Sequence, residues 1–432
     1  MNEKLIQYIW RFQYYDHAQL QTTTGGVIQV VHPGILNHDQ GPDFSNARIR
    51  IGDQLWAGHV EMHLRTSDWT KHGHGSDPHY KNVILHVVWE HDQPVNDIPV
   101  LELSGRVPFI LLERYKQLLQ VGQFIPCERS ISRVSEEVWL KWKERLMVER
   151  MEHKSKPILL KLEENHFHWE ETCWWMLAGN FGGKVNGSAF QALAQATPLS
   201  LLNRHQNQPY QIEALLLGQA GLLEQHFHET YPRLLQKEFR FLRKKYGLKS
   251  IHEPIKFSRM RPGNFPTIRL AQLAILISRY QHFFARFQTA DQVEEIREWL
   301  SVTAGNYWHD HYRFEDTTVS CAKNLGQSMI ENILINTVCP LLYTFGKCKN
   351  EFRFQEKALD WLSALPAEQH RICRGFGLLG IQGANAFDAQ ALTELHNHYC
   401  TQLRCLDCMI GHYLLKENQD QAPQSTRILI SG

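Results

Sequence analysis

The chain has no run of 18 apolar residues, the length a helix needs to cross a bilayer, so no membrane span is expected. Its opening stretch, MNEKLIQYIWRFQYY, lacks the basic, then apolar, then small-residue order of a secretory leader, so a cytoplasmic protein is expected. Excess charge is missing too. The 46 Lys and Arg residues oppose 45 Asp and Glu, and a net charge of +1 excludes a global pull toward nucleic acid or anionic membrane. Any polyanion must then be held by a local patch. Cysteine is sparse, nine in 432 residues, which argues against a disulfide framework and leaves clustered thiols as metal ligands. There is no glycine-rich phosphate cradle, no zinc-finger spacing of Cys with His and no repeat of fixed period. These absences give no reason to invoke a nucleotide cofactor or a solenoid.

What remains is a globular composition, 43% hydrophobic, in a chain long enough for two or three domains. Residues 3–20 carry Leu5, Ile9, Phe12 and Leu20 near helical spacing. Three β-rich runs follow: 27–31, 47–51 and 56–65. A polar stretch, 66–79, then leads to the apolar run 83–90. This order predicts a small α/β domain over residues 1–110. Beyond it the pattern is helical, with a start at Ser135-Glu136-Glu137, a punctuated loop from Gly179 to Gly187, and an all-round apolar helix over 212–223. The expected class is α+β, with a mostly helical body over 111–432.

In the run 56–65, alternation puts Val60, Met62 and Leu64 on one face of a strand and His59, Glu61, His63 and Arg65 on the other. Seventeen residues separate Asp43 from Glu61, about the length of a short strand and a turn, so the two carboxylates can converge on adjacent strands. Two such carboxylates make a hard-oxygen site suited to Mg²⁺ or Mn²⁺, and His63, two residues beyond Glu61, can orient the attacking water. The plain structural alternative is that Asp43 caps a turn while Glu61 pairs across the sheet with Arg48, Arg50 or Arg65.

Pro42-Asp43 followed by Glu61-Met62-His63 resembles the PD-(D/E)XK nuclease superfamily, and the helix–strand–strand–strand–connection–strand order is similar to its core. The resemblance implies a restriction-endonuclease-like sheet, Asp43 and Glu61 as metal ligands, and a nucleic-acid substrate. His63 departs from the pattern, which has Lys there. The family often adds an acid from the first helix, where Glu3 is the candidate. The whole chain also resembles an uncharacterised bacterial domain-of-unknown-function family typical of Bacteroidetes. The segments GPDFSNARI, GHVEMHLRTSDWTKHGHG, YKNVILHVVWEHD and CTQLRCLDCMIG are among those that carry the likeness.

Seven histidines fall between His59 and His91, and His72-Gly73-His74 sets two imidazoles on a glycine-spaced loop. With Glu61 they would make a two-histidine, one-carboxylate set for zinc, iron or manganese. His86, inside an apolar run, reads as a hydrogen-bonded core residue. The sharpest local motif is Cys400-x4-Cys405-x2-Cys408, three thiols able to hold zinc or an iron–sulfur cluster. A fourth ligand is needed: Cys373 is the first choice, with His398, His396 or Cys127 behind it. The motif also resembles, loosely, the iron–sulfur staple of some helicase-associated nucleases. Basic residues crowd 237–261, including Arg259, as a phosphate-binding patch or a solvated helix face.

Three functions follow as expectations. The first is a Mg²⁺- or Mn²⁺-dependent phosphodiesterase using Asp43, Glu61 and His63 on nucleic acid. The second is a non-catalytic interaction scaffold with a degenerate nuclease core and a structural metal. The third is a histidine-ligated metalloenzyme.

Overall fold

The computed structural model describes residues 1–37, 41–94, 98–119, 124–249, 251, 253–258 and 260–416, so Arg259 lies outside the described residues. The protein is α+β and divides into two compact units, 1–142 with 395–416, and 143–394. The expected boundary near residue 110 is therefore displaced. One division falls inside the helix Glu136–Glu164, and residues 395–416, expected in the helical body, belong with the sheet.

The sheet-bearing unit opens with helix α1 (Glu3–Arg11). The Asn2 side chain caps it by accepting the Leu5 N–H, and Leu5, Ile6, Tyr8, Ile9 and Trp10 are buried. The helix stops nine residues short of the expected end. Gln13 and Gln19 take left-handed backbone conformations that no α-helix can include, so Leu20 reaches the core from an irregular segment. Strands β1 (Ile28–His32), β2 (Ile35–Leu36), β3 (Phe44–Ile51) and β4 (Gln54–Arg65) come next. A short helix α2 (Asp68–Lys71) precedes β5 (Val83–Glu90) and β6 (Val100–Glu102), and α3 spans Phe109–Leu119. Sheet order is β1-β3-β4-β5-β6, with β2 on the edge of β3. The β1–β3 and β3–β4 pairs are antiparallel, while β4–β5 and β5–β6 are parallel. A parallel pair demands a crossover, and residues 66–82 supply it.

Strand β5 is buried on both faces, as is β4 over Val60–His63, which explains why β5 reads as a continuous apolar run rather than an alternating one. Residues 395–416 return to this unit. Tyr8 Oη lies 3.0 Å from His412 Nδ1, and Arg114 Nη1 donates to the Leu415 carbonyl at 3.3 Å.

The other unit is helical around one apolar core. The helix Pro209–Gln219 is buried from Ile212 to Gln219, as its all-round apolar sequence requires. The expected loop at 179–187 is instead part of the helix Trp169–Ala196, which absorbs its glycines by kinking at Gly183, where φ is +60°. Arg269 donates to Gln272 Oε1 and Asn264 Oδ1 and so pins the turn before its own helix. The basic residues Lys237, Arg240, Arg243, Lys244 and Lys245 form the exposed face of the helix Thr230–Tyr246, whose other face buries Leu235, Phe239 and Leu242.

Candidate metal centre

The site is built on β4 and on the crossover that follows it. Register pairs Glu61 with His86 across the parallel β4–β5 ladder, so these side chains and His63 share one face. Asp43 sits just before β3, beside Val60 and Glu61 through the Phe44–Val60 pairing. Its backbone N–H donates to Glu61 Oε2 at 3.0 Å. Its carboxylate accepts the Met62 N–H at 3.1 Å and Gln7 Nε2 at 2.8 Å. Asp43 and Glu61 thus converge, and neither pairs with Arg48, Arg50 or Arg65 among the described contacts. Arg65 sits near Glu90 instead.

The crossover turns back at Gly73, whose φ of +74° suits a residue without a side chain. That turn brings His72 and His74 over the β4 face. His63 Nε2 lies 3.0 Å from His72 Nδ1 and 3.6 Å from Glu61 Oε1, and His74 Nε2 lies 3.5 Å from the same Glu61 oxygen. Ligand atoms of His63, His72 and His74 all lie within 4.8 Å of one another. The second nitrogen of His63, Nδ1, is 2.9 Å from His86 Nε2. Trp69, buried in α2, packs against the rings of His63, His74 and His86, and Tyr80 stacks on His74 with ring centroids 3.9 Å apart. His63 and His86 are buried, His74 is half-buried, and His72 is exposed and opens the cluster to solvent.

The electrostatics describe a site short of positive charge. Burial, and then the Asp43 carboxylate, pushes Glu61 up to about 8. Burial pushes Asp43 up to about 7, and Glu3 on α1 adds to the rise in both. The rings move the other way. Burial, followed by the neighbouring imidazoles, holds His63 down near 3, and burial first lowers His86 to about 4. Burial therefore disfavours the charged form of the rings and of the carboxylates alike. His74 Nε2 makes no hydrogen bond although it is buried, and its nearest anionic neighbour is Glu61. The donor atoms are therefore compatible with a divalent ion.

Residues 3–371 match the model of the family described as "Protein of unknown function (DUF2851)". The chain belongs to that family. No match is found among the curated proteins or among the solved structures. The DUF2851 match contains Asp43, Glu61, His63, His72 and His74 and ends before Cys400, Cys405 and Cys408.

Those three cysteines are buried and line one cavity, whose lining does not include Cys373. Cys373 belongs to the helical unit, on the helix Arg371–Leu378, with its sulfur 3.6 Å from His370 Nε2. His396 stacks on Phe124 and bonds Asn397. The fourth thiol at the cluster is Cys127, from the loop before the helix Glu136–Glu164. The thiols of Cys127 and Cys405 are pushed up to about 12, by burial and then by neighbouring thiols. Cys408 reaches about 11 against the Gly411 and Ile410 amides, which favour its thiolate.

Sequence reasoning passed over two members of the sheet site: Gln7, which holds Asp43, and Trp69, which supports the histidines. His86, read as a hydrogen-bonded core residue, is buried and bonds the His63 ring. Trp69 carried a signal, an aromatic within the histidine-dense segment. Gln7 carried none.

Proposed function

We propose that this DUF2851 protein is a metal-dependent phosphodiesterase acting on nucleic acid, its divalent ion held by Glu61, His63, His72 and His74. The observation that carries the reading is the convergence of His63 Nε2 and His74 Nε2 on one Glu61 oxygen, at 3.6 and 3.5 Å, with His72 Nδ1 3.0 Å from the same His63 nitrogen. Ligands about 2.1 Å from a tetrahedral ion stand about 3.4 Å apart. A set of three imidazoles with one carboxylate suits manganese, zinc or iron better than magnesium, which prefers oxygen. His63, which the sequence paired with the two carboxylates, joins the set of Glu61, His72 and His74 in this reading.

When bound, such an ion would polarise a phosphoryl oxygen and acidify a water. The chain's own groups do the positioning. Asp43 holds Glu61 through its backbone N–H and is itself held by Gln7 and the Met62 amide. His86 sets the orientation of the His63 ring. Both nitrogens of His63 have ring partners, so we assign it as a ligand rather than as the water-orienting base. Phosphodiester chemistry is supported by the strand plan: two antiparallel pairings, then a parallel one, an acid at the start of β3, and Glu-x-His on β4. Exposed Arg48 and Arg50 on β3 and Lys71 beside His72 provide local positive charge.

The test uses purified full-length protein stripped with chelator, then supplied separately with Mn²⁺, Zn²⁺, Fe²⁺ or Mg²⁺ and labelled single- and double-stranded DNA and RNA. Ion-dependent cleavage is expected, falling to background in Glu61→Gln and in His72→Ala/His74→Ala. Absence of cleavage with every ion and substrate, or metal affinity at the sheet unchanged in the double variant, overturns the reading.

A further inference from the structure

The thiol cluster has no part in that chemistry, and its geometry makes a separate statement. Cys127 and Cys400–Cys408 lie far apart in the chain, yet Cys127, Cys400, Cys405 and Cys408 line one small cavity with Tyr399 and Gly411. None of the four is in a disulfide. Gly411 is required there, because a Cβ at that position would stand 2.0 Å from the Cys405 carbonyl oxygen. That close approach lays the start of the helix Met409–Lys416 against the Cys405 turn and closes the cavity. Four thiols turned into one apolar pocket gain little as packing, since any of them would be replaced by alanine or serine at small cost in volume. They make a complete ligand set for a soft metal.

The spacing chooses between metals. A single zinc ion draws its thiolates to about 3.8 Å from one another. No three of these sulfurs form a group within 4.8 Å, although the histidines of the sheet site do. A wider cage fits a multinuclear centre, in which each thiolate binds a different iron. We propose that Cys127, Cys400, Cys405 and Cys408 ligate an iron–sulfur cluster that fastens residues 395–416 to the sheet-bearing unit.

The experiment is oxygen-free purification of the full chain, with iron, zinc and acid-labile sulfide measured alongside the visible spectrum. Iron and sulfide in equal amounts with broad visible absorption are expected. Both should be lost from Cys127→Ser as fully as from Cys405→Ser, and retained in Cys373→Ser and in His72→Ala/His74→Ala. A colourless protein without sulfide, whether zinc-loaded or metal-free, overturns the proposal, as does a Cys127→Ser variant that keeps its chromophore. Should the serine variants not fold, alkylation of the native wild-type protein decides. The four thiols should be protected together until the cluster is destroyed, while the exposed Cys321 and Cys348 react at once. Labelling of any of the four as fast as Cys321 overturns the proposal.

Discussion

The histidine site we propose draws its side chains from residues 61–74 of one strand and the turn after it, whereas the proposed thiol cage joins residue 127 to residues 400–408. Both lie in the same compact unit. The first is assembled by local geometry, a period-2 strand followed by one left-handed glycine, with nearby Asp43 and His86 as supports. The second requires the chain to return after an entire helical unit has been inserted. A site made within one supersecondary element can lose a ligand and leave the fold standing. A site that ties two remote segments cannot, because its ligands are also the closure.

The largest test of that difference is a pair of variants compared by thermal unfolding and metal analysis. His72→Ala/His74→Ala should strip the metal from the sheet and lower the melting temperature only modestly, since His72 is exposed and His74 loses mainly its stacking on Tyr80 and the bound ion. Cys405→Ser should lose its metal and melt at clearly lower temperature, because folding and ligation are linked there. Equal melting temperatures for the two would erase the distinction.

His86→Phe sharpens the local side. It preserves the bulk of the ring in β5 but removes the hydrogen-bond partner of His63 Nδ1. Loss of such a supporting partner lowers metal affinity about 10–100-fold, to be read by competition with a chelating dye.

A third test is pH. Glu61 and Asp43 have folded-state affinities for protons raised to about 8 and about 7. In metal-free protein the folded state therefore binds more protons than the unfolded one above the ordinary carboxylate range, and stability falls as pH rises through 7–8. His63 and His86, lowered to about 3 and 4, work in the opposite sense, adding stability as pH rises from there to the ordinary histidine value near 6.5. Between pH 6.5 and 8 buried Glu213, raised to about 7, and Lys154, lowered to about 7, titrate as well and in opposite senses, so this site's contribution is read as the difference in urea midpoint between wild type and Glu61→Gln. The wild-type midpoint should fall relative to that of Glu61→Gln as pH rises across the window, and added Mn²⁺ or Zn²⁺ should abolish the difference. A difference that stays constant or grows in favour of wild type contradicts the assignment.

The smallest effect belongs to Gly73→Ala. The space around Gly73 is open, so only the left-handed backbone penalty, about 1 kcal/mol, is expected in chemical denaturation. Metal affinity should fall slightly more than stability does, because the turn positions both His72 and His74.

Much of the sheet site was legible because its rules are short-range. Alternation in 56–65 correctly separated Glu61 and His63 from Val60 and Met62. Glycine between two histidines gave a turn able to present both rings. What did not show was that His63 joins Glu61 and the histidine loop in one cluster, with Asp43 behind it, since that depends on the parallel pairing of β4 with β5 and on where a crossover lands. The end of α1 was misjudged because apolar spacing continued past Arg11 while the backbone turned left-handed at Gln13. The loop expected at the Gly179–Gly187 segment was misjudged because packing in a helical core overrides glycine's weak preference against helix.

The thiols mark the limit most clearly. By itself the sequence determined that three cysteines near the end of the described chain stand close together, because covalent spacing alone holds them within a turn or two. It could not choose Cys127 over Cys373 as the fourth, for separation along a chain carries no information about separation in space once a whole unit intervenes. That choice was made only when residues 395–416 packed back against α1, α3 and the loop after it, burying their apolar surface there.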